Sequence, residues 1–161
     1  MEPQHPLKIF LVDDDPYCLH LYAQYLNNFG FTQIQYFSKS TDCLNQLTIR
    51  PDLIFLDHNM DSFNGIDILK KIKQFDPNII VIFISGQEEI DVAVNALKHG
   101  AFDYITKENI TEKKIRACLD KVLLIKETLL KKHKLRMANK VMSGIGAFPI
   151  IFAIQRLIAR I

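Results

Sequence analysis

Five short apolar runs, each followed by a stretch of helical periodicity, constrain this chain more than any other feature. The runs are Lys8–Asp13, Gln33–Phe37, Leu53–Asp57, Ile79–Ile84 and Asp103–Thr106, rich in Ile, Val, Phe and Leu. Most are continuous rather than alternating, the pattern of strands buried on both faces. Gln33–Phe37 alternates more and is expected near a sheet edge. Asp15 followed by Pro16 reads as an N-cap with proline at the first helical position, and Leu19, Tyr22, Leu26 and Phe29 then recur at helical spacing up to Gly30. Further helices are expected from Ser40 to about Leu47, from Asp67 to Phe75 before Asp76–Pro77, and from Gln87 to His99 before Gly100. A fifth opens at Thr111 and runs to about Lys134, with Ile115, Cys118, Leu119, Val122 and Ile125 as its apolar stripe. Five strands alternating with five helices predict an α/β fold, a doubly wound five-stranded parallel sheet with a C-terminal helical extension.

A length of 161 residues corresponds to roughly one domain. An apolar fraction of 48% with 24% charged residues excludes disordered, collagenous and disulfide-scaffold classes. Cys18, Cys43 and Cys118 are odd in number and contain no CxxC pair, which fits buried thiols in a reducing compartment rather than a zinc site. The start of the chain lacks a basic flank before an apolar core, and the apolar uncharged stretch Val141–Gln155 is shorter than the ~20 residues needed to cross a bilayer. A cytoplasmic protein is expected. The charge is unevenly placed: residues 1–120 carry 11 Lys/Arg against 17 Asp/Glu, and residues 121–161 carry 9 against the single acid Glu127. An acidic body thus bears a basic tail.

In a doubly wound sheet, ligands sit beyond the carboxyl ends of the strands. The first run ends in Asp13–Asp14–Asp15, the third in Asp57, the fourth in Ser85–Gly86, and the fifth is followed by Lys107. Carboxylates gathered on one edge repel one another, and a hard divalent cation such as Mg²⁺ resolves this. A metal held by carboxylates beside a free lysine is suited to a phosphoryl group, and an aspartate can itself accept that group as an acyl phosphate.

With these residues in place the chain resembles the receiver domain of two-component response regulators, a flavodoxin-like fold. The resemblance covers about residues 7–130 and rests on LVDDD, DLIFLDHNM with Gly65 eight residues after Asp57, VIFISG, GAFDYITK and the flanking helices, in that order. It implies that Asp57 is the phosphoacceptor and that Asp13 and Asp14 hold Mg²⁺ together with Asp57 and the backbone carbonyl of Asn59. It further implies that Ser85 is the hydroxyl that meets the phosphoryl oxygen, that Lys107 is the family's lysine, and that Tyr104 is the aromatic that moves inward on activation. Asn59 and Gln87 lie where the family tunes phosphoryl lifetime. Two departures stand out: Asp61 replaces the proline usual four residues after the phosphoacceptor, and Glu108 replaces the proline usual after the lysine. A non-prolyl cis bond costs about 3 kcal/mol, so the loop after Lys107 is expected to be trans and differently placed.

The implied function is a stand-alone, phosphorylation-controlled interaction switch rather than a turnover enzyme. A histidine kinase or histidine phosphotransfer protein would charge it, and a downstream protein would read the surface around the fourth helix, fifth strand and fifth helix. Other readings remain open. Asp13–Asp14–Asp15–Pro16–Tyr17 also resembles the DxDx motif of haloacid-dehalogenase-type phosphatases, with Asp13 as nucleophile, although that family's later acidic pair is not evident. A receiver-like adaptor would bind partners without phosphorylation. A flavin-binding module would need a Gly/Ser/Thr-rich loop that the first strand lacks. Residues 131–161 form a basic and apolar tail, too short for a DNA-reading output domain with its own core. Its segment Ile150–Ile161 reads as an amphipathic helix suited to a membrane surface, a partner or a second copy.

Overall fold

The computed structural model describes residues 7–60, 63–86 and 90–145. Gln87, Asp61, the start expected for the fourth helix and the segment Ile150–Ile161 lie outside the described residues.

The five expected strands form one parallel sheet. They are β1 (Ile9–Val12), β2 (Ile34–Phe37), β3 (Leu53–Asp57), β6 (Ile80–Ser85) and β7 (Asp103–Thr106). Their order across the sheet is β2-β1-β3-β6-β7, with every pair parallel. All residues of β1, β3 and β6 are buried, which explains their unbroken apolar runs. The strand that alternated in sequence, β2, lies at an edge, with Gln35 and Tyr36 exposed. The chain order reverses between β1 and β3, so the crevice of this sheet opens past Val12 and Asp57.

Two further strands, β4 (Asn59–Met60) and β5 (Phe63–Asn64), pair as an antiparallel ribbon just beyond β3. Their two-residue length carries no alternation, so sequence periodicity does not reveal them.

Helix α1 (Pro16–Asn28) begins as expected, with the Asp15 carboxylate accepting from the Tyr17 N–H at 2.9 Å. It ends before Gly30, whose φ of 83° lies in the left-handed region. Helix α2 (Ser40–Asn45) leads into a 3₁₀ turn at Leu47–Ile49. Helix α3 (Gly65–Phe75) starts two residues earlier than the sequence suggests, because Asn64 caps it by accepting from the Ile66 N–H at 2.9 Å. Helix α4 is described over Ile90–Lys98. The core cluster under α3 gathers Ile66, Ile68, Leu69 and Ile72 against Phe10, Ile54, Leu56, Val81 and Phe83. Cys43 and Cys118 are buried, but Cys18 is only half-buried and donates to Asp15 at 3.4 Å.

Helix α5 runs unbroken over Glu112–Ile145, 34 residues, well past the expected end near Lys134. The extra turns open on Leu135, Arg136, Met137 and Ala138, all strong helix formers, and no proline interrupts them. The compositional change at residue 131 therefore falls inside a helix. Ile115, Cys118, Leu119 and Val122 are buried, whereas Ile125 is 38% exposed and so drops out of the expected stripe. Two compact units meet along the chain between Cys118 and Leu119.

Candidate functional site

The end of β1 delivers Asp13 and the end of β3 delivers Asp57, each 1% exposed, while Asp14 beside them is exposed. One carboxylate oxygen from each of Asp13, Asp14 and Asp57 lies within 4.8 Å of the others. Lys107, just after β7, reaches across the sheet edge. Its Nζ lies 2.9 Å from Asp13 Oδ2, 3.2 Å from Asp13 Oδ1 and 3.1 Å from Asp57 Oδ1. All described peptide bonds are trans, and the chain turns through a short 3₁₀ segment at Lys107–Asn109. Glu108 in place of proline thus leaves the lysine in reach of both acids.

Local backbone holds the carboxylates in place. Asp13 Oδ1 accepts from the Asp15 N–H at 2.9 Å, and Asp57 Oδ2 accepts from the Asn59 N–H at 3.1 Å. The His58 N–H donates to the Ile84 carbonyl at 2.8 Å, extending the β3–β6 pairing one residue past Asp57. Asp13 Oδ2 and Asp57 Oδ1 are buried and accept no hydrogen bond, although the Lys107 ammonium sits at ion-pair distance from both. Two buried, under-coordinated anionic oxygens beside a third carboxylate fit a small hard cation. Bound there, Mg²⁺ would draw on Asp13, Asp14 and Asp57 and would neutralise charge on a phosphoryl group.

Burial is the largest influence on both inner acids. It pushes Asp57 up to about 6, helped by the charge of Asp13 and opposed by Lys107. It also raises Asp13, against the hydrogen bonds from Lys107 and the Asp15 amide. Burial alone would lower Lys107, but its bond to Asp13 and the charges of Asp57 and Asp13 outweigh that and raise it.

The remaining expected residues lie close by in register. Ser85 is the fully buried last residue of β6 and pairs in register with Thr106, next to the Ile84 that faces Asp57 across the β3–β6 ladder. Tyr104 is half-buried on β7, in register with Phe83, and their rings stack with centroids 6.3 Å apart. The His58 ring lies 5.5 Å from the other neighbour of that row, Phe83. An aromatic row, His58–Phe83–Tyr104, therefore links the residue after Asp57 to the expected switch position. Nothing in the sequence marks Phe83, inside an apolar run, as part of the site. The signal was available only through strand register. Asn59 is exposed and pairs with Asn64 in the ribbon.

Gly65 completes the frame. A Cβ there would stand 2.7 Å from the Asp57 carbonyl oxygen and 2.7 Å from His58 Cα, so the first turn of α3 presses against the backbone of Asp57. Because the clash is with backbone, Gly65→Ala is expected to cost about 1–3 kcal/mol, measured as a lower thermal midpoint; an unchanged midpoint would contradict this close approach.

The family model described as response regulator receiver domain matches residues 9–120. The chain belongs to the response regulator receiver family. This receiver is 34% identical over 100 residues to the response regulator protein TmoT of Ectopseudomonas mendocina, a match covering 62% of this chain and 45% of that one. It is 34% identical over 98 residues to the luminescence regulatory protein LuxO of Vibrio campbellii, covering 60% of this chain and 21% of that one. The receiver thus spans less than half the length of these relatives, which are regulators with more chain than the matched segment. Among solved structures, a response regulator receiver domain protein from Clostridium thermocellum superposes with a TM-score of 0.70 at 29% identity, covering 76% of this chain and 98% of that one. Receivers of this family accept phosphoryl groups at an acidic, Mg²⁺-binding pocket, and the Asp13–Asp14–Asp57 cluster lies at that edge of this sheet.

Proposed function

We propose that Asp57 takes a phosphoryl group from the phosphohistidine of a sensor histidine kinase or a histidine phosphotransfer protein, and that this controls binding of a downstream protein. The observation that carries this reading is the bridge of Lys107 to Asp13 and Asp57 within the three-carboxylate cluster. Residues 7–130 act as the receiver and residues 131–161 as a basic extension. The protein works in the cytoplasm as a switch, not as a turnover enzyme.

The side chains divide the work. Asp57 attacks phosphorus through a carboxylate oxygen, so a P–O bond forms as the donor's P–N bond breaks. Asp13 and Asp14, with Asp57 and the carbonyl of Asn59, would hold the metal. Lys107 shifts from the acids toward the incoming phosphoryl oxygens, and the Ser85 hydroxyl turns to donate to one of them. Ser85 ends the strand beside β7, so its movement frees space toward the Phe83–Tyr104 stack, and Tyr104 follows inward. The altered face of α4, β7 and the start of α5 is what the downstream protein reads. Direct sequence-specific contact with DNA forms no part of this reading.

Incubation with Mg²⁺ and acetyl phosphate, followed by intact-mass measurement and peptide mapping, tests the reading. One phosphoryl group on Asp57 is expected. Label on Asp13 would instead support the phosphatase reading, and no label at all would support the adaptor.

A further inference from the structure

The far part of α5 is at odds with water. Residues 127–140 are all exposed. Leu124, Leu129, Leu130, Leu135 and Met137 stand 52–68% open to solvent. Among them lie Lys126, Lys131, Lys132, Lys134, Arg136 and Lys140. The one acid in this stretch, Glu127, is already paired with Lys131 at 2.8 Å. Leu129 and Leu130 share a shallow groove with Lys126, Lys132, His133 and Arg136, at the i, i+3, i+4 and i+7 spacings of one helix side.

We infer that this part of α5, residues 123–140, docks on the surface of an anionic phospholipid bilayer. An occupant of this surface has to cover leucines and cancel positive charge together. A second copy would cover the leucines but would bring the same excess of lysines against it. A nucleic acid would match the charge, but its phosphates give the leucines nothing apolar to enter. An anionic bilayer supplies both, with headgroup phosphates for the lysines and acyl chains for Leu129, Leu130 and Met137, while the lysine stems run along the apolar boundary. Among the described residues no helix is long and apolar enough to cross a membrane, so the mode is lying on the surface rather than spanning it. The segment shares no residue with the Asp57 site, so the inference stands whether or not the phosphoacceptor reading does.

The test is co-sedimentation of the full chain with vesicles of phosphatidylcholine alone or with three parts in ten of phosphatidylglycerol. Binding is expected only to the anionic vesicles, weakening as salt rises. Each lysine or arginine near the surface contributes about fivefold, so combined Lys132→Gln, Lys134→Gln and Arg136→Gln should reduce partitioning about a hundredfold. Leu129→Gln with Leu130→Gln, which leaves charge unchanged, should reduce it at least about tenfold. All five positions are exposed, and circular dichroism of each variant checks that the helix persists. Equal binding to both vesicles, or to neither, would overturn the inference. So would loss in the charge variant but not the leucine variant with duplex DNA competing for the site, or a leucine-dependent dimer that ignores vesicles. Asp57→Asn leaves vesicle binding intact, which keeps this result distinct from the test of the phosphoacceptor.

Discussion

In Mg²⁺-free buffer near neutral pH, Asp57→Asn is expected to melt well above the parent protein while gaining no phosphoryl group from acetyl phosphate. The second half follows from losing the nucleophilic oxygen. The first half follows from burial. Asp57 is 1% exposed, and its carboxyl is pushed from the ordinary 3.8 up to about 6 by burial first and the charge of Asp13 next, with Lys107 offsetting part. A folded-state value above the unfolded one means the folded protein holds the proton more tightly. The group therefore favours folding at acidic pH, and that contribution is lost as pH rises through about 6. Two pH units correspond to roughly 3 kcal/mol of strain in the ionised form, which an amide of the same shape does not carry. For a domain of this size that is roughly 5–10 °C in melting temperature. The gap between variant and parent should narrow toward pH 4 and also on adding Mg²⁺, which relieves the parent alone. Calorimetry across pH checks this, and a variant that melts at or below the parent at pH 7.5 would refute it.

Asp13→Asn should cripple metal binding. Asp13 is the buried member of the acidic pair and offers an oxygen, Oδ2, that accepts no hydrogen bond. Its amide replacement keeps the shape but brings no charge to a dication. Removing a mere outer partner of a metal ligand costs 10- to 100-fold, so the loss of this one should exceed that. Asp14→Asn, at an exposed position, should cost less. Titration calorimetry with Mg²⁺ reads both. If the Asp13 and Asp14 variants weaken binding equally, or by only about threefold, the cluster is not built as described.

The parts of this protein that were readable from sequence are those with a local cause. The strands β1, β3 and β6 are buried on both faces, so their apolar runs mark them within a residue or so. The acids and the lysine could be placed together because a parallel sheet brings its strand ends to one edge. What escaped depended on contacts between distant residues or on very short elements. The His58–Phe83–Tyr104 row follows from register, not from any one segment. The ribbon Asn59–Met60 with Phe63–Asn64 is too short to leave a pattern. Asn64–Gly65 reads as a turn but serves as cap and first residue of α3. Helix α5 passes the end expected near Lys134 because no helix-stopping residue follows at once and Leu135, Arg136, Met137 and Ala138 propagate a helix well.

Lys107 touches both inner aspartates at once, so the chain carries its own monovalent tenant in the notch between them. Three clustered acids can then remain folded in a medium depleted of divalent ions. The same tenancy would set a threshold, because a dication bound there would have to compete with a tethered ammonium. Removing the ammonium would sharpen the grip on metal while leaving a captured phosphoryl group less firmly held. How readily the notch takes up a dication is thus governed by the leash on one side chain as much as by the acids it guards.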